Sequence, residues 1–422
     1  MRNFLRLPVK LVEQGSNDQS TSDNSSYGND SMSRKHVIYK SCFIALASVM
    51  FLTNSSKAQD DSWRRTYPAW FGVVPPAAEQ CPGANTDGHD PHTSWTSGAA
   101  CREFAPNEAG DMPVWFSRVE AQVLYRDTKG SHSMATVGVA GPEVLGTSDF
   151  ESEIDAGIRV VLGRSVGEWY RLEGVFSGAQ EWSDSLTVRN FDLNSFLGLG
   201  NLMSPFTNFG DPLPILGLDF NDFASIRFKS QFNNAELNLR RRLFTQVDKW
   251  EGSYLIGLRY MDVTEDFGYS TSSITLGQTS IDYDTHTNNH LTGVQLGLTT
   301  QFLIRPRMRI DFDIKGGVFA NDASMSYSVT QLELLGNTNV FNGTDQQDRA
   351  SYMGELSLQF QYQFTSHLTF TAGYNAILIT GVALGADNFE DDLARVAMGP
   401  ARLNHQGEAV YHGPSFGLTC AW

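Results

Sequence analysis

Charged side chains recur at even spacing in several stretches of this chain. Arg118 and Glu120, Arg171 and Glu173, and the series Arg309, Asp311, Asp313 and Lys315 each step by two residues. Asp155 and Arg159, and Glu236 and Arg240, are four apart, while Arg259 and Glu355 sit singly in stretches of the same kind. Glu153 and Arg242 extend two of these series. At such spacing the side chains project from one face of a β-strand. If those faces line a water-filled space, the charges select among passing solutes. If the space is narrow, opposite charges pair and fill it.

Other chemistry finds little support. The chain has no His-Glu-x-x-His, Cys-x-x-Cys or Gly-x-Ser-x-Gly motif and no phosphate-binding loop with a lysine, so an enzyme is not expected. His286 and His290 lie near Asp282 and Asp284, and an outer-membrane hydrolase would need such groups assembled with a nucleophile or paired acids. His89-Asp90-Pro91-His92 lacks a third ligand at a suitable spacing, so no metal is expected, nor any cofactor. In an oxidising compartment Cys81 and Cys101 could close a disulfide loop, leaving Cys420 unpaired. The net charge of −16 and pI near 4.9 exclude a nucleic-acid footprint.

The elements that position the charges are period-two stretches. The first sets Trp115, Ser117, Val119, Ala121, Val123 and Tyr125 against Phe116, Arg118, Glu120, Gln122 and Leu124. Similar runs cover residues 153–162, 169–177, 235–243, 254–260, 294–302, 308–318, 352–364 and 368–378, and the chain ends on Phe416, Leu418, Cys420 and Trp422. Aromatic residues cluster at their ends, and most approach the roughly 9–11 residues that a tilted strand needs to cross a bilayer. Connections alternate in length. Short ones follow the second, fourth, sixth and eighth strands, and long ones follow the odd-numbered strands, the longest being Glu181–Asp222. Transmembrane barrels show this alternation, with short turns on the periplasmic side. The fold class expected is all-β, an antiparallel up-and-down transmembrane barrel of ten strands, or twelve if Glu181–Asp222 holds another hairpin. At ten strands an open pore and a side-chain plug are both consistent with the lining.

The mean hydropathy of −0.27 is compatible with a barrel, because only alternate residues of a spanning strand meet lipid. Glycine (38), Phe (27), Tyr (14) and Trp (8) suit turn-rich β structure. The longest apolar run, Cys42 to Leu52, follows Arg34, Lys35 and Lys40 and precedes Ser56-Lys57-Ala58. That is the layout of a cleavable signal peptide releasing Gln59. Four regions follow: a polar segment over 1–31, upstream of a start expected at Met32; a signal peptide over 32–58; an irregular periplasmic segment over 59–112; and the barrel over 113–422.

Trp115-Phe-Ser-Arg-Val-Glu-Ala-Gln-Val-Leu-Tyr125, Gly257-Leu-Arg-Tyr-Met-Asp-Val-Thr-Glu-Asp-Phe267 and the terminal Phe416-x-Leu418-x-Cys420-x-Trp422 together resemble the β-barrel porin families described in planctomycete bacteria. Pro414 and Cys420 depart from the pattern of a final strand. The resemblance implies a barrel with a porin role in the outer membrane. Its partners would be membrane lipid, small solutes or ions, and the barrel-assembly machinery, which would read Phe416, Leu418 and Trp422 as its signal. Acidic outer loops, among them Asp387, Glu390, Asp391 and Asp392, would bias permeation toward cations or gather divalent ions.

Overall fold

The computed structural model describes residues 114–128, 130–150, 154–167, 169–190, 200–247, 249–274 and 278–422. The expected signal peptide and pre-barrel segment, Cys81, Cys101, Glu153 and the His89–His92 pair lie outside the described residues.

Among the described residues there are thirteen strands: β1 (Trp115–Thr128), β2 (Ser133–Val137), β3 (Glu143–Gly146), β4 (Ile154–Val166), β5 (Tyr170–Arg189), β6 (Leu202–Met203), β7 (Phe223–Val247), β8 (Trp250–Ser273), β9 (Thr279–Arg305), β10 (Met308–Leu332), β11 (Thr338–Gln363), β12 (Leu368–Val382) and β13 (Gly407–Ala421). One short helix, α1 (Leu393–Met398), lies between β12 and β13. Ten strands close into a barrel in the order β1-β13-β12-β11-β10-β9-β8-β7-β5-β4, every pairing antiparallel. The other three form a small sheet, β3-β2-β6. The Glu181–Asp222 segment therefore adds no barrel hairpin; it supplies β6 to the small sheet.

The seam joins the first and last strands. Trp115 and Trp422 exchange both backbone hydrogen bonds, N to O, at 2.9 Å. The β1–β13 ladder runs from Phe116↔Ala421 to Gln122↔Ser415, lapses at Pro414 and Gly413, and resumes in the same register at Tyr125↔His412. Proline has no N–H to give, so the gap is the expected local cost. Closure survives it.

The strands outrun a membrane. β7 to β11 have 24 to 27 residues each, whereas β1, β4, β12 and β13 have 13 to 15. Two of the long connections expected from sequence are consequently strand. Only residues 274–278 and 333–337 join β8 to β9 and β10 to β11. The outward face tells why the ends read as loop. Ile256, Leu258 and Tyr260 on β8, Val294, Leu296 and Leu298 on β9, and Phe312, Ile314 and Val318 on β10 are exposed apolar residues. Beyond them the outward positions turn polar on one ladder rung, Asn233↔Asp262↔His290↔Asp322↔Asp348, across five strands.

Above that rung the long strands make a one-sided wall, lined by the connections. The chain leaves β12 at Gly381 (φ 80°) and turns inward. Asn289 on β9 accepts the Ala383 N–H at 2.7 Å and donates to its carbonyl at 2.8 Å. Phe389 then enters a cluster with Phe206, Phe267, Tyr269 and Tyr283. From the other side, Met134, Leu145 and Leu202 of the small sheet are buried in the same apolar layer. Asp219, fully buried, holds the β6–β7 connection by accepting from Ser204 N, Thr207 Oγ1 and Ile215 N.

Candidate functional site

The interior of the barrel is where the charged series converge. Glu120, Glu173, Glu236, Arg240, Arg259, Arg309, Asp311, Lys315 and Glu355 are all buried, because alternation turns them away from the lipid-facing stripe. A bulge in β5 at Ala179 (φ 70°) shifts the register after Ser177, so that odd positions face inward before it and even positions after it.

A quartet forms the centre of this layer. Lys315 on β10 lies 3.1 Å from Glu236 on β7 and 3.0 Å from Glu355 on β11. Arg259 on β8 meets Glu355 at 2.5 Å and Glu236 at 3.6 Å. These contacts join strands up to three apart in the ring, so they cross the lumen rather than follow its wall. Gln295 donates to Glu236 at 2.8 Å and Asn234 accepts from Arg259 at 2.6 Å, polar partners of the kind buried charges require.

A second group lies nearer the rim of short turns. Arg240 and Arg171 both pair with Glu173, the former at 3.0 Å. Arg309 stands 3.3 Å from Asp311 and donates to Gln361 at 2.6 Å. Asp313 accepts from Thr299 and lies 3.8 Å from Arg240. Arg118 donates to Gln359 at 2.9 Å across β13 and β12. Glu120, with no exposed surface, has Arg118 at 3.7 Å and Arg159 at 3.9 Å. Asp155 does not join either group; it accepts the backbone N–H of Glu181 beside the bulge. A cavity of about 50 Å³ remains among these side chains.

Above the charges the lumen holds an aromatic layer, which the expected lining did not include. Trp182 on β5, Phe232 on β7 and Tyr411 on β13 meet at the barrel axis, with ring centroids 5.2 Å (Trp182–Tyr411) and 4.8 Å (Phe232–Tyr411) apart. β7 and β13 are four strands apart by the shorter way round. Arg126 on β1 reaches Glu265 on β8 across the same space, lies 4.4 Å over the Phe228 ring, and leaves Glu265 Oε2 to accept the Gly385 N–H at 3.0 Å. Neither Arg126 nor Glu265 was expected in the lumen from sequence.

The histidines are elsewhere. His286 pairs with Asp266, and His290 lies 2.9 Å from Asp262 and 3.1 Å from the Tyr260 hydroxyl, on the outer face. Asp284 pairs with Arg227 instead. No group of three or more His, Cys, Asp or Glu that could hold a metal occurs among the described residues. Phe416, Leu418 and Cys420 are exposed on the outer face of β13, and the Cys420 thiol is free.

A family model described as "Putative beta barrel porin-7 (BBP7)" matches residues 123–422. No curated protein matches. Among solved structures, the chain is similar to the outer membrane protease OmpT from Escherichia coli at 10% identity, covering 73% of this chain and 96% of that one, with a TM-score of 0.38. It is similar to the Pseudomonas putida toluene transporter TodX at 10% identity, covering 77% and 92%, with a TM-score of 0.30. A Pseudomonas aeruginosa FadL homologue matches at 11% identity, covering 74% and 90%, with a TM-score of 0.25.

Proposed function

Since this chain belongs to the BBP7 family of β-barrel porins and is an outer-membrane barrel, we propose that it is a barrel closed to free diffusion, working through the wall and cap that stand beyond the membrane. The supporting observation is the pairing of opposite walls at two levels. Lys315 and Arg259 bridge Glu236 and Glu355 below, and Trp182, Phe232 and Tyr411 stack above. Solvent-filled porins have sixteen or more strands, while ten-stranded interiors are narrow enough for side chains to meet. On this reading the chain is not an enzyme. It is exported by the segment over 32–58, and the assembly machinery recognises Phe416, Leu418 and Trp422.

Protein extracted from outer membranes and reconstituted in a planar bilayer should give no stable conductance steps while retaining a heat-modifiable gel shift. Discrete, long-lived steps from the unaltered chain would overturn the closed reading.

Porin-like passage of small solutes is the second reading, favoured by the family and by the cavity among the inward charges. Passage then requires both layers to part. If steps were seen, Arg259→Glu or Arg309→Glu should shift their ion selectivity, and unchanged selectivity would remove these residues from the path.

A further inference from the structure

The charges of the lumen do not balance around the cavity. Lys315 and Glu355 belong to the central quartet, which holds two charges of each sign. The rest of the cavity lining carries five guanidiniums, Arg118, Arg159, Arg171, Arg240 and Arg309, against three carboxylates, Glu173, Asp311 and Asp313. Counting Glu120 behind them still leaves one positive charge in excess. In a chain of net charge −16, an interior with a cation surplus is a local arrangement, not a reflection of composition.

Arg159 is the least closely paired of the five. Its nearest carboxylate oxygen is Glu120 Oε2 at 3.9 Å, beyond hydrogen-bond reach, and its side chain is 12% exposed. Its guanidinium makes no hydrogen bond among the described residues, although it borders the cavity. A guanidinium offers five donors in a planar fork that suits an oxyanion, and leaving them unanswered in the interior is costly. The space holds roughly 3–5 water molecules at ~10–15 Å³ each, enough for one small tetrahedral ion.

We infer that the cavity is a binding site for a small inorganic oxyanion of the phosphate or sulfate type, held by Arg159 with Arg118 and Arg171 at its sides. The site goes beyond the closed-barrel reading: a sealed barrel needs no anion, and an anion here does not require a pore.

The test is binding of radiolabelled inorganic phosphate to the full chain in detergent, by equilibrium dialysis at constant ionic strength set with sodium chloride. Saturable binding approaching one phosphate per chain, displaced by sulfate, is expected. Arg159→Gln should weaken it about tenfold or more, as for a lost charge-assisted hydrogen bond, whereas Arg241→Gln on the outer face of β7 should leave it unchanged. Should Arg159→Gln fail to fold, Arg159→Lys keeps the charge, loses the fork and should bind more weakly. Absence of saturable binding to the unaltered chain would overturn the site, as would equal binding by a folded Arg159→Gln variant. Neither result bears on conductance, so the two ideas fail separately.

Discussion

A buried charge pair inside a lipid-bound barrel stabilises little by itself, yet removing one member is expensive. Arg126 and Glu265 illustrate this, since both side chains are buried and Glu265 also accepts the Gly385 N–H from the cap. Arg126→Met leaves the buried Glu265 carboxylate without its cation and should cost about 3–5 kcal/mol. Adding Glu265→Leu to it should recover much of that loss, because the uncompensated charge goes with its partner. Urea titrations of tryptophan fluorescence would measure both; equal loss in the single and double variants would contradict the pairing. At this scale the sequence was informative about direction and silent about partners. Period two alone turns Lys315, Arg259, Glu236 and Glu355 inward. Which of them meet depends on a stagger between strands that no local pattern encodes. Arg126 and Glu265 were missed for another reason: they fall beyond the outward apolar stripe that marks a strand as spanning.

The elements show a signal that was present and unread. On β8 the apolar residues up to Tyr260 are even-numbered and face out, Leu255 excepted, and from Met261 through Val263, Phe267 and Tyr269 they are odd-numbered and face in. β10 changes phase in the same way, between Val318 and Phe319. Each strand continues through the change; only the side that meets an apolar medium switches, from lipid to a packed interior. Strands sought by their outward stripe therefore end too early, and the filled upper lumen stays hidden. The seam yields a direct prediction. A Cβ on Gly413 would lie 2.0 Å from the Val123 carbonyl oxygen, where the β1–β13 ladder has already lapsed at Pro414. Gly413→Val should abolish the heat-modifiable gel shift, whereas Gly354→Ala, which meets nothing within 4 Å, should preserve it.

The cap adds a pH dependence between elements outside the membrane. His132, before β2, has its Nε2 3.1 Å from Asp387 Oδ1 in the segment after β12. Its pKa is raised above the ordinary 6.5 chiefly because Asp387 takes this hydrogen bond, and burial opposes the rise. A group whose folded pKa is raised stabilises fully below its unfolded value and loses that contribution as pH climbs through the folded one. Amide exchange along α1 and at Gly385, corrected for intrinsic rates, should accelerate as pH rises from below 6.5 to well above it. His132→Gln should flatten that response; a profile identical to the unaltered chain would show that the contact does not hold the cap.

For the whole molecule the decisive property is redundancy. The charged quartet and the aromatic stack each join opposite walls, at different heights, and share one strand, β7, which carries both Glu236 and Phe232. The two layers meet only at their edges, where Arg259 donates to Met353 Sδ at 3.7 Å, so they should act nearly additively on stability but not on permeation, because one intact barrier is enough to stop an ion. Phe232→Ala with Tyr411→Ala removes the stack at a cost of about 3–5 kcal/mol for each large ring, and the quartet beneath should keep the bilayer silent. Arg259→Ala with Glu355→Ala removes charges in opposite pairs, avoiding a stranded ion, and the stack above should keep it silent too. Joined in one chain, the four substitutions should give conductance steps where neither pair does. If either pair alone conducts, the remaining layer is not a barrier. If all four together stay silent in a barrel that still shows its gel shift, the cap over the wall of long strands is the true seal.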